Sequence, residues 1–152
     1  MTHRGSPGGT VTLTGQEADP HRLCRSWTLT VRKEDLARFR RLASAAMREW
    51  NQPPRVVEVV LHGVTELLSN VARHVPDPRC VLELTLDGDA VEVAVHDTSP
   101  VLPRITLPDW TAEEGRGLWL LREMADDLGY ERTPGGKRVW VRVSGRPTGY
   151  AG

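Results

Sequence analysis

The feature that most constrains this chain is one long amphipathic run. Between Pro54 and His74, Val57, Val60, Leu61, Val64, Leu67, Leu68 and Val71 recur at helical spacing, and Pro76 and Pro78 end the pattern. A helix of that length spans about 30 Å, so its stripe needs a comparably long apolar partner. The sequence supplies one immediately afterwards. Cys80 to Leu86 and Ala90 to His96 both alternate apolar with polar residues, and Asp87-Gly88-Asp89 stands between them as a hairpin turn. A helix laid on an antiparallel sheet is the simplest arrangement that buries both.

The flanking segments extend this plan. Ser26 to Val31 alternates as a strand. A helix follows from about Lys33 to Trp50, with Leu36, Phe39, Ala43, Ala46, Met47 and Trp50 on one face. Arg38, Arg40, Arg41 and Arg48 fall mostly elsewhere and read as a solvated face. Asp97 to Glu114 has no period and carries Pro100, Pro103 and Pro108, which marks a long loop of the functional or mobile kind. A third helix is expected over Gly117 to Leu128, then strands near Tyr130–Arg132 and Lys137–Val143 around Pro134-Gly135-Gly136. The order β-α-α-β-β-loop-α-β-β predicts an α/β (α+β) fold. It is a two-layer α/β sandwich with a mixed, mostly antiparallel sheet and its helices on one face. Residues 1–24, rich in Gly, Pro, Ser and Thr, read as a disordered tail, residues 25–144 as the domain, and residues 145–152 as a flexible end.

Charge and cysteine content narrow the function. In the 152 residues, 20 Lys and Arg balance 20 Asp and Glu, so the basic surplus of a nucleic-acid module is missing. Cys24 and Cys80 form no CxxC pair and read as reduced thiols of a cytoplasmic protein, and the five histidines show no zinc spacing with them. No run approaches the ~18 apolar residues of a membrane span, and the first ten residues lack the apolar core of a signal peptide. These features predict no direct nucleic-acid contact and no membrane contact.

Three motifs carry potential chemistry. His62, Glu66 and Asn70 stand four apart on the long helix, with Arg73 and His74 continuing the line. A solvated back face is the ordinary explanation of such a stripe. An amide oxygen one turn from a carboxylate also suits a magnesium–phosphate site, where the carboxylate takes a proton from an attacking hydroxyl. Asp97 leaves its strand into Thr98-Ser99-Pro100. It is either a turn former or an acceptor for an exocyclic amine such as adenine's. Gly115-Arg116-Gly117-Leu118 precedes a helix, where backbone N–H groups favour phosphate. Neither a Walker P-loop nor a GxGxxG fingerprint is present.

In that order the three motifs resemble the GHKL (Bergerat-fold) ATP-binding superfamily, and within it the anti-sigma-factor serine kinases. Glu66-Leu67-Leu68-Ser69-Asn70-Val71-Ala72-Arg73-His74 is similar to the N box. Asp97 stands at the aspartate of the first glycine box, Gly115 to Leu118 resemble the second, and Gly136-Lys137-Arg138-Val139-Trp140 resembles the closing strand. The resemblance implies ATP and Mg²⁺ as cofactors. Glu66 would be the general base, Asn70 the Mg²⁺ ligand and Asp97 the reader of the adenine amine. Arg73, His74, Gly115, Arg116, Gly117 and Leu118 would complete the nucleotide site. It further implies a sigma factor and an anti-anti-sigma protein as partners, and a possible homodimer. Trp110, in the lid region, is a candidate partner contact. Two departures support a second reading, a GHKL-like protein-binding regulator with weak or no ATP turnover. No glycine follows Asp97, and Arg138 follows Lys137 where the family often has threonine.

Overall fold

Period-two alternation sorts each strand into a face that meets the helices and a face that does not. The computed structural model describes residues 3–6, 9–12, 22–105 and 117–145. Its strands are β1 (His3–Ser6), β2 (Gly9–Thr12), β3 (Arg22–Thr30), β4 (Arg79–Asp87), β5 (Ala90–Asp97), β6 (Asp127–Thr133) and β7 (Gly136–Ser144). Its helices are α1 (Leu36–Glu49), α2 (Pro54–His74) and α3 (Gly117–Met124). The strands form one sheet in the order β1-β2-β3-β4-β5-β7-β6, and all six pairings are antiparallel. The sheet was expected to be mixed. The connection β5–α3–β6 does bring two strands into parallel orientation, but β7 inserts between them, so the parallel pair never touches.

Strand register places the core. Trp27, Leu82, Val95 and Val139 lie in one cross-strand row, and Arg25, Leu84, Val93 and Val141 lie in another. The apolar members of both rows are buried under the helices. On α2 the buried face runs through Val56, Val59, Val60, Gly63, Val64, Leu67, Leu68 and Val71, while Val57 and Leu61 are only partly covered. The sequence stripe is thus displaced by a residue at its start, because α2 packs against α1 as well as the sheet. Gly63 permits the close approach. A Cβ there would stand 2.9 Å from Val141 Cγ1.

Several element ends differ from the sequence expectation. The first helix begins as a 3₁₀ turn over Lys33–Asp35. The third helix ends at Met124 rather than Leu128, because Asp126 is pinned to the sheet. Its N–H donates to the Arg142 carbonyl, and its carboxylate accepts from Arg55 and from the Ser144 N–H. The chain therefore enters β6 at Asp127, three residues before the expected strand. In the segment whose composition predicts disorder, β1 and β2 occur, and β2 pairs with β3 from Thr12↔Ser26 to Gly9↔Leu29. Unpaired N–H and C=O groups along the β3 edge supply the reason for that pairing. At the β4–β5 hairpin Gly88 adopts φ +63°, the left-handed conformation that a two-residue turn demands. No described helix is long and apolar enough to cross a membrane.

Candidate functional site

The C-terminal half of α2 passes over the end of β5 and the start of β7. A cavity of about 500 Å³ opens between them, bounded also by α3 and residues 99–104. Its apolar walls include Leu67, Val71, Val75, Val95, Leu118 and Val139, and its polar groups include Glu66, Asn70, Asp97 and Lys137. That volume falls in the range of small-molecule pockets, and so does the mixture of apolar walls with a few polar groups.

The expected site residues converge here from distant parts of the chain. Glu66, Asn70, Arg73, His74, Asp97, Gly117 and Leu118 all line the cavity. Gly115, Arg116 and Trp110 lie outside the described residues. His62 is not part of the lining, and its Nε2 is buried without a hydrogen-bond partner among the described residues.

Two glycines allow the approach. The start of α3 presses on the Glu66 carboxylate so closely that a Cβ on Gly117 would fall 1.7 Å from Oε2. At the start of β7, a Cβ on Gly136 would fall 1.9 Å from the Asp97 carbonyl oxygen. A side chain at Gly117 would displace the Glu66 carboxylate, and one at Gly136 would displace the backbone around Asp97.

Asp97 forms the floor, at 8% exposure. Its Oδ1 accepts from the Ser99 N–H at 2.8 Å and from Lys137 Nζ at 3.1 Å, and its Oδ2 lies 3.0 Å from the same ammonium. Lys137 also donates to the Ser99 carbonyl at 3.3 Å. The segment beyond Asp97 lacks glycine but is fixed by further bonds, among them Val101 N–H to Ser99 Oγ at 3.3 Å. Thr98 Oγ1 donates to the Asp77 carbonyl at 3.0 Å, and Arg132 Nε donates to the Pro100 carbonyl at 3.1 Å. Beneath Asp97, directly opposite it on β4, is Cys80. Burial, with the Asp97 charge adding to it, pushes the Cys80 thiol up to about 12. It is an inert core thiol, not a nucleophile.

On α2, Asn70 Oδ1 accepts a hydrogen bond from Arg73 at 2.9 Å. An amide oxygen has two lone pairs, so one remains for a hard cation. With Glu66 one turn away, the donor set fits Mg²⁺ held largely by nucleotide phosphates and water. Among the described residues, no three His, Cys, Asp or Glu side chains gather into a metal-binding cluster.

Sequence reasoning missed Lys137 as a site residue and placed weight on Arg138 instead. The register resolves both. Lys137 pairs with Asp97 on the cavity face, whereas Arg138 pairs with His96 on the outer face. There Arg138 donates to Glu92 Oε2 at 2.7 Å and stacks over Trp140, 6.0 Å from the ring centroid. Arg138 is therefore not among the residues that line the cavity. Alternation along β7, counted from a partner known to face the site, was the available signal.

The description "histidine kinase-like ATPase domain" belongs to a family model that matches residues 29–143. The chain belongs to this family. No curated protein matches it. Among solved structures, it is similar to the RsbU and RsbW domains of Rv1364c from Mycobacterium tuberculosis. The sequence identity is 15% and the TM-score 0.61, over 80% of this chain and 31% of that one. At that identity the likeness is one of fold, and this chain spans under a third of the other's length. This histidine kinase-like ATPase domain gathers Glu66, Asn70 and Asp97 around one cavity.

Proposed function

We propose that this domain binds ATP with Mg²⁺ in the α2–β5–β7 cavity and transfers phosphate to a serine of an anti-anti-sigma protein. In its other state it would sequester a sigma factor. The observation that carries the reading is the convergence of Glu66, Asn70 and Asp97 on one cavity. Asp97 accepts the adenine amine from the floor. Arg73, His74, Gly117 and Leu118 line the same cavity and would lie near the triphosphate, and the resemblance adds Gly115 and Arg116 to the nucleotide-binding residues. Asn70 supplies the protein oxygen for Mg²⁺, which when bound neutralises charge on the phosphates. Glu66, one helical turn from Asn70, takes the proton of the attacking serine hydroxyl. Resemblance to the anti-sigma-factor branch supports the protein partners, a homodimer and a cytoplasmic location.

A second reading is a partner-binding regulator without turnover. It is favoured by the pairings that engage both key groups, Lys137 on Asp97 and Arg73 on Asn70 Oδ1. Calorimetric titration with a non-hydrolysable ATP analogue separates the two. Magnesium-dependent binding that Asn70→Ala removes is the expected result. Absence of binding by the folded wild type at millimolar nucleotide would leave the regulator.

A further inference from the structure

Asp97 can read an amine only while its carboxylate keeps one orientation. The two residues Asp97 and Lys137 pair across the β5–β7 ladder, both line the cavity, and both are buried, at 8% and 7% exposure. The Lys137 ammonium bridges the carboxylate, 3.1 Å from Oδ1 and 3.0 Å from Oδ2, and the Ser99 N–H adds a bond to Oδ1 at 2.8 Å. A donor shared by both oxygens resists rotation of the carboxylate about its Cβ–Cγ bond. A carboxylate offers about four acceptor sites. Two on Oδ1 and one on Oδ2 are used, so the acceptor that remains is on Oδ2. Lys137 also donates to the Ser99 carbonyl at 3.3 Å, which ties the cavity wall beyond Asp97 to the same ammonium. Charge points the same way. A carboxylate buried without a counter-ion turns towards water or is neutralised, and either change weakens it as an acceptor for a base.

We infer that Lys137 is the positioning residue of the base site: it acts through Asp97, holding the carboxylate so that the free Oδ2 site receives the 6-amino group of adenine. This rests on the nucleotide-binding reading above and makes amine recognition depend on a second residue, from β7. Lysine and amine are then coupled through one carboxylate. The affinity that the amine contributes is present with the lysine and lost without it.

The test compares ATP with purine riboside triphosphate, which keeps the ring and N1 but carries hydrogen in place of the amine. Each is titrated calorimetrically with Mg²⁺ into the intact chain, as wild type and as Lys137→Met. A hydrogen bond to a charged acceptor is worth about tenfold to a hundredfold, so the wild type is expected to prefer ATP at least about tenfold. In Lys137→Met that preference is expected to fall to about threefold or less, whatever the absolute affinities. A variant that keeps the wild-type preference overturns the inference, because a lysine that only supports the fold would weaken both nucleotides alike. A wild type with no preference for the amine overturns it too, and leaves the nucleotide site standing. Binding of neither nucleotide by the folded wild type overturns the inference together with the reading beneath it. Should Lys137→Met not fold, the wild type decides alone. The chain has two lysines, and Lys33 is exposed, so the Lys137 ammonium can be followed by NMR. Its resonance is expected to move further with saturating ATP than with saturating purine riboside triphosphate, since only the amine loads the shared carboxylate. Equal movements overturn the inference.

Discussion

Gly117→Ala separates the chemistry of the cavity from the stability of the fold. A Cβ at position 117 would stand 1.7 Å from Glu66 Oε2, 2.2 Å from Cδ and 2.7 Å from Oε1. Ordinary contact between such atoms is about 3.5 Å, so the carboxylate must withdraw by roughly 1.5–2 Å. What must move is the end of a flexible, partly exposed side chain, not backbone, so the fold can absorb it. Replacing glycine by alanine in a helix contributes up to ~1 kcal/mol, less at its first residue, which offsets part of the crowding. Net stability should stay within ~1 kcal/mol of wild type, a shift of about 2–4 °C in Tm for a chain of this size. Catalysis has no such tolerance. A displacement of ~1 Å can cost about 10²-fold, and loss of a general base about 10²–10⁴-fold. ATP turnover, followed by phosphate release, should therefore fall at least ~100-fold and approach that of Glu66→Gln. ATP affinity should hold within about threefold, because Asn70 and Asp97 are untouched. Full turnover by Gly117→Ala, in a variant that melts like wild type, would refute the role given to Glu66. A loss above ~3 kcal/mol would show that the Glu66 carboxylate is locked in place, contrary to the reasoning.

The outer-face position of Arg138 predicts that Arg138→Thr changes nucleotide affinity less than about twofold by calorimetry, since the contacts it loses, to Glu92 and Trp140 among them, lie away from the cavity. Gly136→Ala differs from Gly117→Ala because its Cβ would meet the Asp97 backbone oxygen at 1.9 Å in a paired strand. Chemical denaturation should show a loss of about 3 kcal/mol, and an unchanged midpoint would contradict the register. The Cys80 thiol, raised from 9.0 to about 12 by burial first and then by the Asp97 charge, keeps its proton in the fold after the unfolded chain has lost it. Its contribution is intact below about pH 9 and drains away as pH rises towards 12. The slope is at most ~1.4 kcal/mol per pH unit, and stability of Cys80→Val should decline less steeply over that window.

Much of this protein is legible in one dimension because its elements are locally determined. The span of α2 follows from apolar spacing between Pro54 and the prolines after His74, and the β4–β5 hairpin from alternation around a glycine with positive φ. The order of elements, with the polar stripe on α2 and Asp97 at a strand end, was enough to point to the fold. The end of α3 was not legible, because Asp126 stops the helix through partners on α2 and β7 that are remote in sequence. The early strands were hidden by their shortness and by Gly- and Thr-rich composition, and the pairing edge that orders them belongs to β3.

Side-chain pairing in the site was decided by tertiary structure alone. Spacing put Glu66 and Asn70 on one face, but only the packing of α3 on α2 brings Gly117 against the carboxylate. Sequence could weigh Lys137 and Arg138 only as neighbours. A strand sends neighbours to opposite faces, so one became the buried partner of Asp97 and the other an outer-surface residue. Local chemistry fixes periods and turns over a few residues. Which of two adjacent side chains enters the cavity depends on strand register, and register is set by contacts made across the whole sheet.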